Sequence, residues 1–257
     1  MTIGFIGLGN MARAVIGGML DKGIVKPEDI CGSAKTEATR KKMEDSCKIR
    51  TASSNREVAE QAEILVLAVK PQFFEEVIEE IKGISWEGKT IISLAPGKTI
   101  AWLQEKFGQR LPVVRCMPNT PALVGEGCTG VCASPEVGSK ARDTVLEILG
   151  SFGKAVEVSE KMMDVVGAVS GSSPAFVFLF IEALADGAVA EGMPRAQAYE
   201  FAAQAVLGSA KLVLETGSHP GELKDMTIQG IKMLEKNNFR GTVMNAVITC
   251  VEKSRKM

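Results

Sequence analysis

The chain has 257 residues, 46% of them hydrophobic and 24% charged, with 30 basic against 31 acidic side chains and a formal net charge of −1. That length suits one large domain or two modest ones, each with its own core, and the composition excludes a disordered chain. With no basic surplus to draw it to nucleic acid or an anionic membrane, the expected partner is a small diffusible substrate, with no nucleic acid and no membrane.

The first run, "TIGFIG", reads as a strand and passes directly into "GLGNMARA", where Gly7, Gly9 and Ala12 open a helix. This order is the one a dinucleotide requires: a tight turn at Gly7, close backbone approach at Gly9, and a small Ala12 that lets the helix lie on the sheet. No positive flank and no cleavage-type site precede it, so the segment reads as mature structure in a cytoplasmic protein. The second strand ends in "ICGS" with no acid from Gly32 to Lys35. A carboxylate there would hold the ribose 2′-hydroxyl of NAD. Ser33 and Lys35 stand in its place, with Thr36 and Arg40 behind them, and they predict NADPH as the preferred cofactor with NADH possible.

Further apolar runs at residues 64–69, 90–95 and 111–117 alternate with stretches of helical spacing. They predict an α/β domain over residues 1–160, built on a doubly wound, Rossmann-like and mostly parallel sheet. The loops "LAVKPQ" and "RCMPNTPALVGEG" then fall at the carboxyl ends of strands, where the ligand crevice of such a sheet lies, although each could be an ordinary strand exit. After Lys161 the strand runs stop, and residues 161–257 read as an all-α domain. Ser173 is expected to cap a helix with Pro174 in its first turn, and Gly192 and Gly217 to end helices in the left-handed conformation. "AFVFLFI" is too short for a membrane span and reads as part of a buried helix. Helices apolar nearly all round, in a domain of this size, predict a homodimer built through this half.

The six cysteines lack C-x-x-C spacing and His219 is the one histidine, so no metal site is expected. His219 precedes Pro220, with Glu222 three residues on, which is the pattern of a helix start and not of a general acid.

Taken together, "GFIGLGNMARA", "AVKPQ", "MPNTPA", "SGSSPAFVFLFIEALADGAVAEGMPR" and "HPGELKDM" resemble the pyrroline-5-carboxylate reductase family along nearly the whole chain. The resemblance implies NAD(P)H-dependent reduction of L-1-pyrroline-5-carboxylate to L-proline, the last step of proline synthesis, by dimers or larger oligomers of dimers. It places cofactor contacts on Ile6, Gly7, Leu8, Gly9, Asn10, Met11, Ser33, Lys35, Asn55, Ala68, Val69, Lys70 and Pro71. Substrate contacts fall on Met117, Pro118, Asn119, Ser172, Ser173 and Thr227, with Thr227 as the catalytic-site hydroxyl. The chain departs from the family pattern after Met226, where a Ser-Pro-Gly-Gly loop is absent before Thr227 and Ile228, through deletion or through omission from the sequence as written. A smaller departure is "SLAPGKT", with Pro96 and Lys98 where alanine and an apolar residue are usual. The rival readings are a β-hydroxyacid dehydrogenase-like oxidoreductase and a non-catalytic NADP-binding module; the first would want a lysine on the helix after Pro174, which carries none as far as Glu191.

Overall fold

The computed structural model describes residues 1–224 and 228–256. They form two compact units: Met1–Gly171 joined by the C-terminal residues from Val251, and Ser172–Cys250. Residues 161–171 thus pack with the first unit, to which Ser254 also returns by donating to Asp164 Oδ1 at 2.7 Å.

The first unit is an eight-stranded sheet in the order β3-β2-β1-β4-β5-β6-β7-β8. Its strands are β1 (Ile3–Ile6), β2 (Ile30–Ser33), β3 (Arg50–Ala52), β4 (Ile64–Leu67), β5 (Thr90–Ser93), β6 (Val113–Met117), β7 (Gly127–Ala133) and β8 (Gly153–Glu157). The first six pair in parallel, β7 runs antiparallel to β6, and β8 is parallel to β7. The period of two divides the apolar residues between two cores. Ile3, Phe5, Ile64, Val66, Ile92 and Val114 enter one, and Ile6, Leu65, Leu67, Ile91 and Val113 enter the other. Helices α1 (Asn10–Asp21), α2 (Glu37–Cys47), α3 (Asn55–Gln61), α4 (Phe74–Ile81), α5 (Ile100–Phe107) and α6 (Ser139–Gly150) cover the faces. The carboxyl ends of β1, β2, β4, β5 and β6 therefore share one edge, and that edge carries the site.

A partly buried ion pair braces this unit. Arg115, 6% exposed, donates to Glu160 Oε1 at 3.1 Å, and the same oxygen accepts the Ile100 N–H at 2.7 Å at the start of α5.

Beyond Glu160 the path runs through α7 (Met163–Val166), a π-helical stretch (Gly167–Ser172) and α8 (Ser173–Ala190). The expected cap at Ser173 is corrected here: helical backbone is already established upstream, and Ser172, not Ser173, precedes α8, with φ −92°, ψ −34° and no side-chain cap bond. The Gly192 and Gly217 stops are present, at φ +95° and +66°.

The second unit contains α8, α9 (Arg195–Thr216), α10 (Pro220–Leu223), α11 (Ile228–Lys236) and most of α12 (Phe239–Arg255). Its buried apolar cluster is small, Ala185, Ala198 and Ala202, with Ile181, Ala188, Val189 and Met193 partly buried around it. The expectation that the apolar helices are buried fails within one chain, where Phe178, Leu179, Phe201 and Leu214 are 62%, 66%, 66% and 75% exposed. Among the described residues one helical segment, Glu160–Ala190, is long and apolar enough by composition to cross a membrane. Glu182 and Asp186 interrupt it, the latter paired with Arg195.

Candidate active site

The turn after β1 is built from backbone demands. Gly7 sits at φ +96°, and a Cβ there would lie 2.8 Å from the carbonyl carbon of Ala68, so only glycine fits between the ends of β1 and β4. Its N–H donates to the Ser33 carbonyl at 2.9 Å, and the Ala68 N–H donates to Ile6 at 2.8 Å, which ties the ends of β1, β2 and β4 together. At Gly9 an added Cβ would meet nothing within 4 Å, so the backbone there faces open space. Helix α1 starts at this point with no side-chain cap and no acidic residue in its first turn. Outward-facing amides and the positive end of a helix dipole are the setting that a pyrophosphate requires.

A cleft of about 530 Å³ opens over this turn. Of the residues expected to hold the cofactor, Gly7, Leu8, Gly9, Ser33, Lys35, Asn55, Ala68, Val69 and Lys70 line it. Ile6 does not; it is 1% exposed and packs into the second core. Asn10 and Met11 form the first residues of α1, and Pro71 begins a short 3-10 turn with Lys70 just before it. A second cleft, of about 650 Å³, is lined by Arg13, Lys22, Cys47 and the loop at Leu123–Gly125. It contains none of the expected residues.

At the far end of the first cleft the side chains are wired together. Ser33 Oγ donates to Asn55 Oδ1 at 2.6 Å, and Asn55 Nδ2 donates to Glu80 Oε2 at 2.6 Å. Lys35 Nζ lies 5.8 Å from the centre of the Phe73 ring, while Arg40 is held by the Ala34 carbonyl at 2.6 Å. Phe73, Glu76 and Glu80 line the cleft although the sequence did not single them out. The i, i+4 spacing of Glu76 and Glu80 marks one face of a helix but not the neighbour that face meets.

At the end of β6, Met117 and Pro118 are half-buried and Asn119 is buried. The Asn119 carboxamide is engaged on both sides: Nδ2 donates to the Ser170 carbonyl at 3.0 Å, and Oδ1 accepts the Cys128 N–H at 2.8 Å. Burial and the neighbouring Cys132 push the Cys116 thiol well above its ordinary pKa, which favours the neutral thiol over the thiolate. Ser172 and Ser173 stand at the junction between the π-helical stretch and α8. Thr227 lies outside the described residues. His219 caps α10, its Nδ1 accepting the Gly221 N–H at 3.0 Å. Among the described residues no group of three or more His, Cys, Asp or Glu side chains is placed to hold a metal ion.

The family model "Pyrroline-5-carboxylate reductase dimerisation" matches residues 160–257, and "NADP oxidoreductase coenzyme F420-dependent" matches residues 2–97. A pyrroline-5-carboxylate reductase of Escherichia coli (strain K12) is 45% identical over 262 residues, covering 99% of this chain and 97% of that protein. One from Methanosarcina acetivorans is 43% identical over the same length and coverage. The crystal structure of Plasmodium falciparum pyrroline carboxylate reductase with NADP bound superposes with a TM-score of 0.90 at 36% identity, covering 100% of this chain and 97% of that one.

Proposed function

The chain belongs to the pyrroline-5-carboxylate reductase family, and from that premise we propose how its residues reduce L-1-pyrroline-5-carboxylate to L-proline, the last step of proline biosynthesis. Likeness along the entire chain carries this reading, since the glycine turn alone would suit any dinucleotide enzyme.

The cleft over Gly7 and Gly9 takes the cofactor. The positive φ, the open space at Gly9 and the uncapped start of α1 fit a pyrophosphate. Bound there, the reduced nicotinamide supplies a hydride. Ser33 and Lys35 favour the 2′-phosphate of NADPH, with NADH as the weaker alternative. Glu80, acting through Asn55, tempers that preference, because it accepts from the amide and so turns Oδ1 toward Ser33, whose proton is then used.

The imine is basic enough to take a proton from water and arrive as an iminium, so no protein acid of histidine strength is needed. Holding and orienting it are the chain's tasks. Met117, Pro118 and Asn119 at the end of β6, with Ser172 and Ser173 at the start of α8, serve the substrate side, and the Thr227 hydroxyl orients the ring nitrogen. Preorganised placement of this kind accounts for large rate effects without a strong acid.

The exposed apolar faces of α8 and α9 serve a homodimer, which can associate further, in the cytoplasm. NADPH consumption on addition of pyrroline-5-carboxylate tests the activity: turnover that depends on the imine is expected, and cofactor binding without turnover would reduce the protein to a binding module.

A further inference from the structure

The six-residue π-helical stretch, Gly167–Ser172, has a cause in the sequence. π-turns are rare and cluster at functional sites. An α-helix continued through this point would give the Ser170 carbonyl the backbone N–H of residue 174, and that residue is proline, which has none. The wide turn lies just ahead of Pro174, and the Ser170 carbonyl accepts from Asn119 Nδ2 at 3.0 Å. The other end of the same carboxamide is fixed by the Cys128 N–H in β7, at 2.8 Å. Ser170 Oγ folds back onto the Val166 carbonyl at 2.9 Å. Under the turn, Met117 Cε lies 2.9 Å from the position a Cβ would take on Gly167 and 3.4 Å from that on Gly171, so the turn rests on the end of that side chain.

We infer that Asn119 is a positioning residue: its amide supplies the donor that Pro174 lacks, holds the π-turn down on Met117, and so sets the path of the chain into Ser172 and Ser173. This refines the proposal that Asn119 belongs to the substrate side, and it rests on the reading that Ser172 and Ser173 meet the substrate. Asn119 acts through the turn and not by touching the imine. Two features of the chain, the amide after β6 and the proline at 174, then form one device.

Asn119→Asp keeps the size and the acceptor for Cys128 but sets an oxygen against the Ser170 carbonyl. In the full-length protein, kcat/KM for pyrroline-5-carboxylate should fall about 10- to 100-fold, the scale of a small misplacement of a reacting partner. The NADPH Kd, read by fluorescence, should stay within about twofold. Asn119→Ala should also lower the Tm. Adding Pro174→Ala to it restores a backbone donor to Ser170 but no acceptor to Cys128, so the double variant should regain part of the lost Tm while kcat/KM stays low, because the straightened turn no longer carries Ser172 correctly. Asn119→Asp with wild-type kcat and KM would overturn the inference, as would a double variant that regains turnover together with Tm. A wild-type protein inactive on the imine would sink the functional reading and this role with it; an active wild type with indifferent variants would sink this role alone.

Discussion

The two units treat apolar surface in opposite ways. In the sheet unit β1 sends Phe5 to one core and Ile6 to the other, and helices on both faces close those cores within a single chain. In the helical unit three alanines form the buried cluster, while Phe178, Leu179, Phe201 and Leu214 face outward. Apolar sequence alone does not distinguish a residue buried in its own chain from one that the chain leaves exposed. The difference lies in what the topology supplies to cover it. The cleft over Gly7 and Gly9, proposed to take the cofactor, sits in the self-sufficient unit, so cofactor binding and assembly should be separable.

The sharpest break in this comparison is at Phe5, fully buried. Phe5→Ala should cost about 3–5 kcal/mol in urea unfolding, from lost transfer energy plus a cavity. Phe201→Glu, at 66% exposure, should leave the sheet unit folded and NADPH bound but halve the mass seen by light scattering. Unfolding by Phe201→Glu, or an unchanged mass, would count against the contrast. Glu160→Ala comes next. It strands the Arg115 guanidinium and removes the acceptor for the Ile100 N–H. Glu160 is 32% exposed, so the loss should be about 1–3 kcal/mol, below that for a fully buried pair. Smallest is Lys35→Ala, an exposed site, which should cut the NADPH-to-NADH ratio of kcat/KM about three- to tenfold with little change in Tm.

Much of the sheet unit was legible because its signals are local. The alternation in "TIGFIG" and the glycines at 7 and 9 each constrain a few neighbouring residues, and the structure keeps them. What required three dimensions was missed. Glu76 and Glu80 reach the cleft over Gly7 and Gly9 because α4 lies beside it, and nothing near "FFEEVIEEI" announces that neighbour. The antiparallel direction of β7 was equally invisible, since strand periodicity carries no sense of direction. Pro174 misled in another way. Proline in a first turn signals a helix start, yet here helical backbone exists on both sides, and the amide of Asn119, 51 residues upstream of Ser170, supplies a donor to the carbonyl that the ring cannot serve.

The most direct test of hydride delivery from the Gly7–Gly9 cleft to the imine is isotopic. NADPH carrying deuterium at nicotinamide C4 is incubated with the enzyme and pyrroline-5-carboxylate, and the product is read by mass spectrometry and NMR. The account predicts one deuterium in proline, on the ring carbon bonded to nitrogen and remote from the carboxylate, from one face of the cofactor. Proline formed without the label, or label washed into solvent from both faces, would contradict it.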